Sequence, residues 1–186
     1  MKPFARIERT VVYHWVAWNL VRGRFIAPDG EEFIRTYVES PDSVGIIALI
    51  ANSSGGDDVV MVRQYRPTLQ DMSLEIPAGM CDIEGEDPLI TAQRELREEA
   101  GFEAQRWDAL GQMRQSSGLI DGPVHLFLAR DLYPIDTERY GPEERFMTME
   151  RFAVDEAMSM IDSGEINDAI AVVGIMRGLR FAQRHS

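Results

Sequence analysis

The densest group of reactive side chains lies between Glu86 and Gly101, where Glu95, Glu98 and Glu99 are spaced i, i+3 and i+4. On a helix, that spacing projects all three carboxylates from adjacent parts of one face. Like charges so placed destabilise the helix unless something positive sits among them. Carboxylate oxygen is the donor that a hard divalent cation such as magnesium prefers, usually together with water and the phosphates of a substrate. The chemistry such a platform suits is in-line attack of a held water on phosphorus, with the cation neutralising the charge that builds on the leaving phosphate. A solvated acidic face is the plainer use of such a run. Here the surroundings weigh against it. A Pro77-Ala78-Gly79 turn precedes the helix by a short loop, Glu86 stands just before it, and Arg94 is placed to pair with the nearby acids and fix the loop on the helix.

No other set of side chains competes for the chemistry. His14, His125 and His185 are scattered without ligand spacing, and no Ser-His or Cys-His pair is needed. Cys81 is the only cysteine, so no intrachain disulfide forms, and its ordinary use is as a small half-buried filler.

The helix that carries the glutamates has clear ends. Asp87 is a capping residue, Pro88 suits the first turn, and Gly101 fits the left-handed position just past the end. Leu89, Ala92, Leu96 and Ala100 give it an apolar stripe at helical spacing. Upstream, the runs Val11 to Val16, Asn19 to Ile26 and Phe33 to Glu39 alternate with turns and predict a small antiparallel meander. Ser43 to Ala51 is almost wholly apolar and predicts a central strand buried on both faces. Further strands are predicted over Val59 to Gln64, Glu75 to Ala78, Trp107 to Arg114, Val124 to Ala129 and Phe146 to Ala153. A polar loop covers Asp136 to Glu144, and a terminal helical region, Val154 to Ser163 and Asp168 to His185, is interrupted at Gly164.

Composition bounds the partners. The chain has 186 residues, 45% hydrophobic and 27% charged, which is ordinary for a globular protein with a real core. A net charge of -12 disfavours nucleic acid, because a polyanion needs a basic stripe to neutralise it. The first ten residues mix Lys2, Arg6, Glu8 and Arg9 and lack the apolar run of a signal peptide. No stretch approaches the ~20 apolar residues of a membrane span. The expectation is a cytoplasmic protein with no membrane or nucleic-acid partner.

Gly79, Glu86 and the run Arg94-Glu95-Leu96-Arg97-Glu98-Glu99-Ala100-Gly101-Phe102 resemble the Nudix box, a glycine, five residues, a glutamate, seven residues, then Arg-Glu-aliphatic-x-Glu-Glu-x-Gly-aliphatic. Six residues, Met80 to Gly85, stand here where the family has five. The resemblance implies an α/β fold, a Nudix-type α/β/α sandwich with a mixed sheet, spanning residues 43–186, after an N-terminal β meander over 1–42 that serves dimerisation. It implies that Glu95, Glu98 and Glu99, with the Ala78 carbonyl, hold Mg2+, with Mn2+ as the alternative. Gly79, Glu86, Arg94 and Gly101 then have structural roles.

The flanks look most like the ADP-ribose pyrophosphatase branch, through the meander, Arg63-Gln64-Tyr65-Arg66 before Glu75-Ile76-Pro77-Ala78-Gly79, and His125-Leu126-Phe127-Leu128-Ala129-Arg130. That branch implies a late-loop glutamate that handles the attacking water, here Glu143 or Glu144. It implies Arg66 on the phosphates, Met80 and Ser117 near the ribose, and Arg35 with Trp15 from the meander in a homodimer with shared sites. Ser116-Ser117-Gly118 stands where the branch shows Ser-Pro-Gly, which leaves the sugar open. The activity implied is hydrolysis of ADP-ribose or a related nucleoside diphosphate sugar to a nucleoside monophosphate and a sugar phosphate. A GDP-mannose or dinucleotide pyrophosphatase and a non-catalytic ADP-ribose sensor are the alternatives.

Overall fold

In the computed structural model, residues 3–136 and 146–185 are described. The chain forms two compact units, Met1–Asp42 with Arg114–Pro123, and Ser43–Met113 with Val124–Ser186. No helix among the described residues is long and apolar enough to cross a membrane.

The first unit is an antiparallel sheet of β1 (Ala5–Trp15), β2 (Trp18–Ile26) and β3 (Glu32–Glu39), in the order β1-β2-β3. The strands run longer than the apolar runs suggest, since Glu8, Arg9 and Thr10 pair with Arg24, Gly23 and Arg22 across the hairpin. Exposed polar residues satisfy a ladder as well as apolar ones do, but they leave no alternation to read. The segment 114–123 belongs to this unit through backbone bonds: Val38 N–H donates to the Leu119 carbonyl at 2.7 Å and Asp121 N–H to the Val38 carbonyl at 3.1 Å.

The second unit is built on a mixed sheet. Its strands are β4 (Ser43–Ala51), β5 (Asp57–Arg66), β6 (Asp71–Glu75), β7 (Ala78–Met80), β8 (Phe102–Met113), β9 (Val124–Pro134) and β10 (Thr148–Ala153). Their order is β10-β5-β4-β9-β8, with β6 paired to β5 and β7 to β4. The β4–β9 pair is parallel and makes the sheet mixed. β4 is central, and its alternate residues feed two cores. Val44, Ile46 and Ala48 pack with Ala92, Leu96 and Ala100 of the glutamate-bearing helix on one face. Ile47 and Leu49 pack on the other with Ala157 and Met160 of α2 (Val154–Ser163) and Ala171 and Ile175 of α3 (Ala169–Arg184). The result is the α/β/α sandwich that the resemblance implies.

Several predicted elements shift: β5 and β9 run longer than the predicted Val59 to Gln64 and Val124 to Ala129, β8 starts at Phe102 rather than Trp107, and three others change. The strand predicted over Glu75 to Ala78 is two strands, because the chain leaves β5 at Glu75 and joins β4 at Ala78. Pro77, which has no N–H to give a ladder, stands in the crossing, where its carbonyl accepts from Ile46 N–H at 2.8 Å. The strand predicted from Phe146 starts at Thr148; Phe146 is 78% exposed, and Met147 is the first buried side chain of that segment. The helix predicted over Asp87 to Ala100 is α-helical only as α1 (Pro88–Glu95) and continues as a π-helical turn, Leu96–Ala100.

Candidate active site

The site is assembled around the end of α1. Asp87 caps the helix by accepting from Leu89 N–H at 2.8 Å, with Pro88 in the first turn. Gly101 ends it at φ 71, the left-handed conformation that glycine takes without strain. The π-helical turn changes what the glutamates do. With a wider turn, residues four apart stay on one side while the residue three along rotates away. Glu95 and Glu99 are accordingly buried, whereas the Glu98 side chain is 43% exposed. Glu95 and Glu99 are thus a buried pair and Glu98 a more exposed third, which shares Arg94 Nη1 with Glu95. Among the described residues no group of three His, Cys, Asp or Glu side chains is drawn together for a metal ion.

Glu99 is held by a strand next to the helix and Glu95 by the residue before it in the helix. Glu99 accepts from Ala78 N–H at 2.8 Å. Ala78 thus meets this carboxylate through its N–H. Glu95 accepts from Arg94 Nη1 at 2.7 Å and lies flat against Gly79. Burial pushes the Glu95 carboxyl up to about 7, against the Arg94 cation, with Glu98 adding to the rise. Burial pushes Glu99 up to about 8, against the Ala78 hydrogen bond, with the Glu95 carboxylate raising it further and the Arg66 cation opposing. Two carboxyls this hard to ionise, side by side, are a donor pair that a hard cation would stabilise in the charged form.

Arg94 faces acids of both the loop and the helix. Its Nη2 lies 3.5 Å from Glu86 and 3.7 Å from Asp82, and its Nη1 lies 3.4 Å from Glu98. Burial works against its charge, but Glu95, Glu98 and Glu86 hold the guanidinium above its ordinary value. Glu86 also accepts from Thr91 Oγ1 at 2.7 Å, which ties the loop to the first turn of α1. The six-residue loop between Gly79 and Glu86 closes in a turn in which Glu86 N–H donates to the Ile83 carbonyl at 3.1 Å and Gly85 takes φ 80. The extra residue is absorbed there without moving Glu86 out of reach of Arg94.

Arg66, expected on the phosphates, is forked onto Glu75. Its Nε donates at 2.8 Å and its Nη2 at 2.5 Å, and Gln64 Nε2 donates to the same carboxylate at 3.3 Å. The hydrogen bonds to Glu75 raise the Arg66 guanidinium still further, and Glu99 and Asp168 add to this. Asp168 caps α3 by accepting from Ala171 N–H at 2.8 Å, and its burial raises its carboxyl despite that bond. Glu75 and Asp168 carry no sequence spacing that marks them. The available signal was an acid on the far strand of a hairpin from Arg66.

Met80 is half-buried in β7, in register with Ser43. The remaining expected residues belong to the first unit or lie outside the described residues. Arg35 is exposed, donates to the Ile34 carbonyl at 2.8 Å and lies over the Phe33 ring at 5.0 Å. Trp15 stacks on Tyr13 with ring centroids 5.7 Å apart, and Ser117 is exposed. Glu143 and Glu144 are outside the described residues.

A buried carboxylate pair on a widened helix end, laid against a strand glycine, thus sits in an α/β/α sandwich with a mixed sheet. The chain belongs to the NUDIX domain family, whose family model matches residues 39–169. It is 34% identical over 173 residues to the ADP-ribose pyrophosphatase of Mycobacterium tuberculosis, covering 93% of this chain and 82% of that protein. It is 34% identical over 148 residues to the methanol dehydrogenase activator of Bacillus methanolicus, covering 80% of this chain and 77% of that one. A crystal structure of an ADP compounds hydrolase superposes with a TM-score of 0.85 over 100% of this chain and 97% of its own, at 18% identity, a likeness of fold.

Proposed function

We propose that this chain hydrolyses the phosphoanhydride bond of ADP-ribose or a closely related nucleoside diphosphate sugar, releasing a nucleoside monophosphate and a sugar phosphate. The observation that carries the reading is the buried pair Glu95 and Glu99, with Glu99 on the Ala78 N–H and Glu95 against Gly79. The 34% identity to an ADP-ribose pyrophosphatase over most of both chains supports the choice of substrate.

Glu95 and Glu99, with Glu98 and the Ala78 carbonyl, are the residues that would hold Mg2+ or Mn2+. When bound, such a cation neutralises charge on the diphosphate and polarises it. The protein's own part is positional. Gly79 leaves room for Glu95, Arg94 keeps the Glu86 loop on the helix, and Arg66 offers a guanidinium to a phosphate oxygen. Glu143 or Glu144 is the carboxylate we assign to the attacking water. Met80, Ser117, Arg35 and Trp15 are assigned to the nucleoside and sugar. We assign the first unit a dimerisation role, supported by its exposed Val12, Tyr13, Val16 and Ile34, and the second unit the hydrolysis; the protein would work as a cytoplasmic homodimer.

The test is incubation of the pure protein with Mg2+ and ADP-ribose, GDP-mannose or a dinucleoside diphosphate, with nucleoside monophosphate release followed. Preferred release from ADP-ribose is expected. Turnover of GDP-mannose or the dinucleotide alone would replace the substrate, and turnover of none would overturn the reading.

A further inference from the structure

The Arg66–Glu75 pair is set up in a way that a surface ion pair is not. In the β5–β6 hairpin the register partner of Arg66 is Asp71, and Glu75 stands opposite Val62. The Arg66 side chain therefore lies back along the hairpin, past an acid at its own register position, to reach Glu75. The Glu75 side chain is 9% exposed, whereas the Arg66 side chain is 40% exposed. The acid is the buried wall and the guanidinium the open rim.

The fork also fixes which donors remain. Nε and Nη2 donate to Oε1 and Oε2 of Glu75, and Gln64 Nε2 supports Oε2 from the side. A guanidinium gripped along that edge keeps its plane fixed and presents Nη1 and the outer Nη2 hydrogen away from the carboxylate. Two further acids act on the same cation, Glu99 of the buried pair and Asp168 at the start of α3. The fork gives the Arg66 guanidinium one fixed partner, Glu75, among these acids.

We propose that Glu75 is a positioning residue: it fixes the plane of the Arg66 guanidinium and aims its free N–H groups at the diphosphate of the substrate. This rests on the proposed function for the identity of the anion, and Glu75 itself touches no substrate atom.

The test uses inorganic pyrophosphate with Mg2+ as probe, with its binding measured by calorimetry on the full chain. Wild type, E75Q, R66A and the double variant form one cycle, with melting temperature recorded for each. The expected result is binding at least about tenfold weaker in E75Q, the scale of one charge-assisted bidentate contact. E75Q adds nothing to R66A in that cycle, and in ADP-ribose hydrolysis the loss falls on KM more than on kcat. Should E75Q unfold at the assay temperature, R66K, which keeps the charge but cannot fork, is expected to show the same loss.

Binding of pyrophosphate by E75Q or R66K as tight as by wild type, effects of E75Q and R66A that add, or a wild type that does not bind pyrophosphate would each overturn the positioning role. A wild type that binds pyrophosphate and follows the cycle but hydrolyses no nucleoside diphosphate would instead overturn the proposed function and leave the role of Glu75 standing.

Discussion

A β-carbon built on Gly79 would lie 2.1 Å from the carboxyl carbon of Glu95 and 2.2 Å from its Oε1. The added atom would take the volume of the carboxylate, so the end of the flexible Glu95 side chain must move to make room. Gly79→Ala is therefore expected to push Glu95 off its seat. Because a flexible side chain can give way, the cost in stability is expected at or below the low end of the overpacking range, about 1 kcal/mol. A larger effect is expected on hydrolysis, a loss of about 100-fold or more, the scale on which single charge-stabilising groups act. Mg2+-dependent turnover and urea unfolding of the variant check both, and wild-type turnover would show that Glu95 has room to shift without consequence.

Glu99 links the site to stability through pH. Its carboxyl is pushed up to about 8 by burial, against an ordinary value of 4.5. Below 4.5 both folded and unfolded forms are protonated, and the group is neutral in its effect. Between 4.5 and about 8 the unfolded chain ionises first, so the folded state holds the extra proton and loses stability as pH rises. The metal-free protein is expected to melt at progressively lower temperature across that window, where Glu95, pushed up to about 7, acts in the same direction, and Glu99→Gln to reduce the slope while abolishing turnover. Added Mg2+ should restore most at the alkaline end, where the carboxylates are charged. Melting curves in chelator and in Mg2+ from pH 5 to pH 8 settle it; a Gln variant that keeps the wild-type slope would remove Glu99 as its source.

How much of this was legible in the sequence follows from what each feature depends on. The caps of α1 were readable because Asp87, Pro88 and Gly101 act locally on their own backbone. The central strand was readable because residues 44–49 are buried from two sides and so are apolar without alternation. The π-helical turn was not, since no local residue marks it and the bond that Glu99 makes from it, to Ala78 N–H, is with a partner 21 residues away. The split of Glu75 to Ala78 into two strands was not, because it depends on which neighbours, β5 and then β4, the chain pairs with. The Arg66–Glu75 fork needs the hairpin register, which no local pattern supplies.

Arg94 provides a test of geometry against charge. It faces Glu86, Glu95, Glu98 and Asp82 within 3.7 Å, and its side chain is 22% exposed. A lysine keeps the charge but cannot distribute it over acids on opposite sides of the loop. Arg94→Lys is expected to cost about 1–2 kcal/mol, discounted for the exposed part of the network. It should also release the Glu86 loop, seen as faster amide exchange at Ile83 to Glu86 than in wild type. Unchanged exchange there would mean that the Thr91–Glu86 bond alone fixes the loop.

Glu98 gives the sharpest test of the π-helical turn. In a regular α-helix Glu98 would stand with Glu95 and Glu99, and the three would be equivalent ligands. The wider turn leaves Glu98 at the rim, 3.4 Å from Arg94 Nη1, while the other two face inward. The expected order of loss in Mg2+-dependent turnover is therefore Glu99→Gln and Glu95→Gln together at the severe end, with Glu98→Gln at least about tenfold milder than either, in keeping with a more solvated carboxylate. Titrating Mg2+ against turnover separates the cases further: Glu98→Gln should recover at high Mg2+, and the inward pair should not. Equal losses at all three positions would mean that the glutamates act as one face after all, and that the π-helical turn does not sort them.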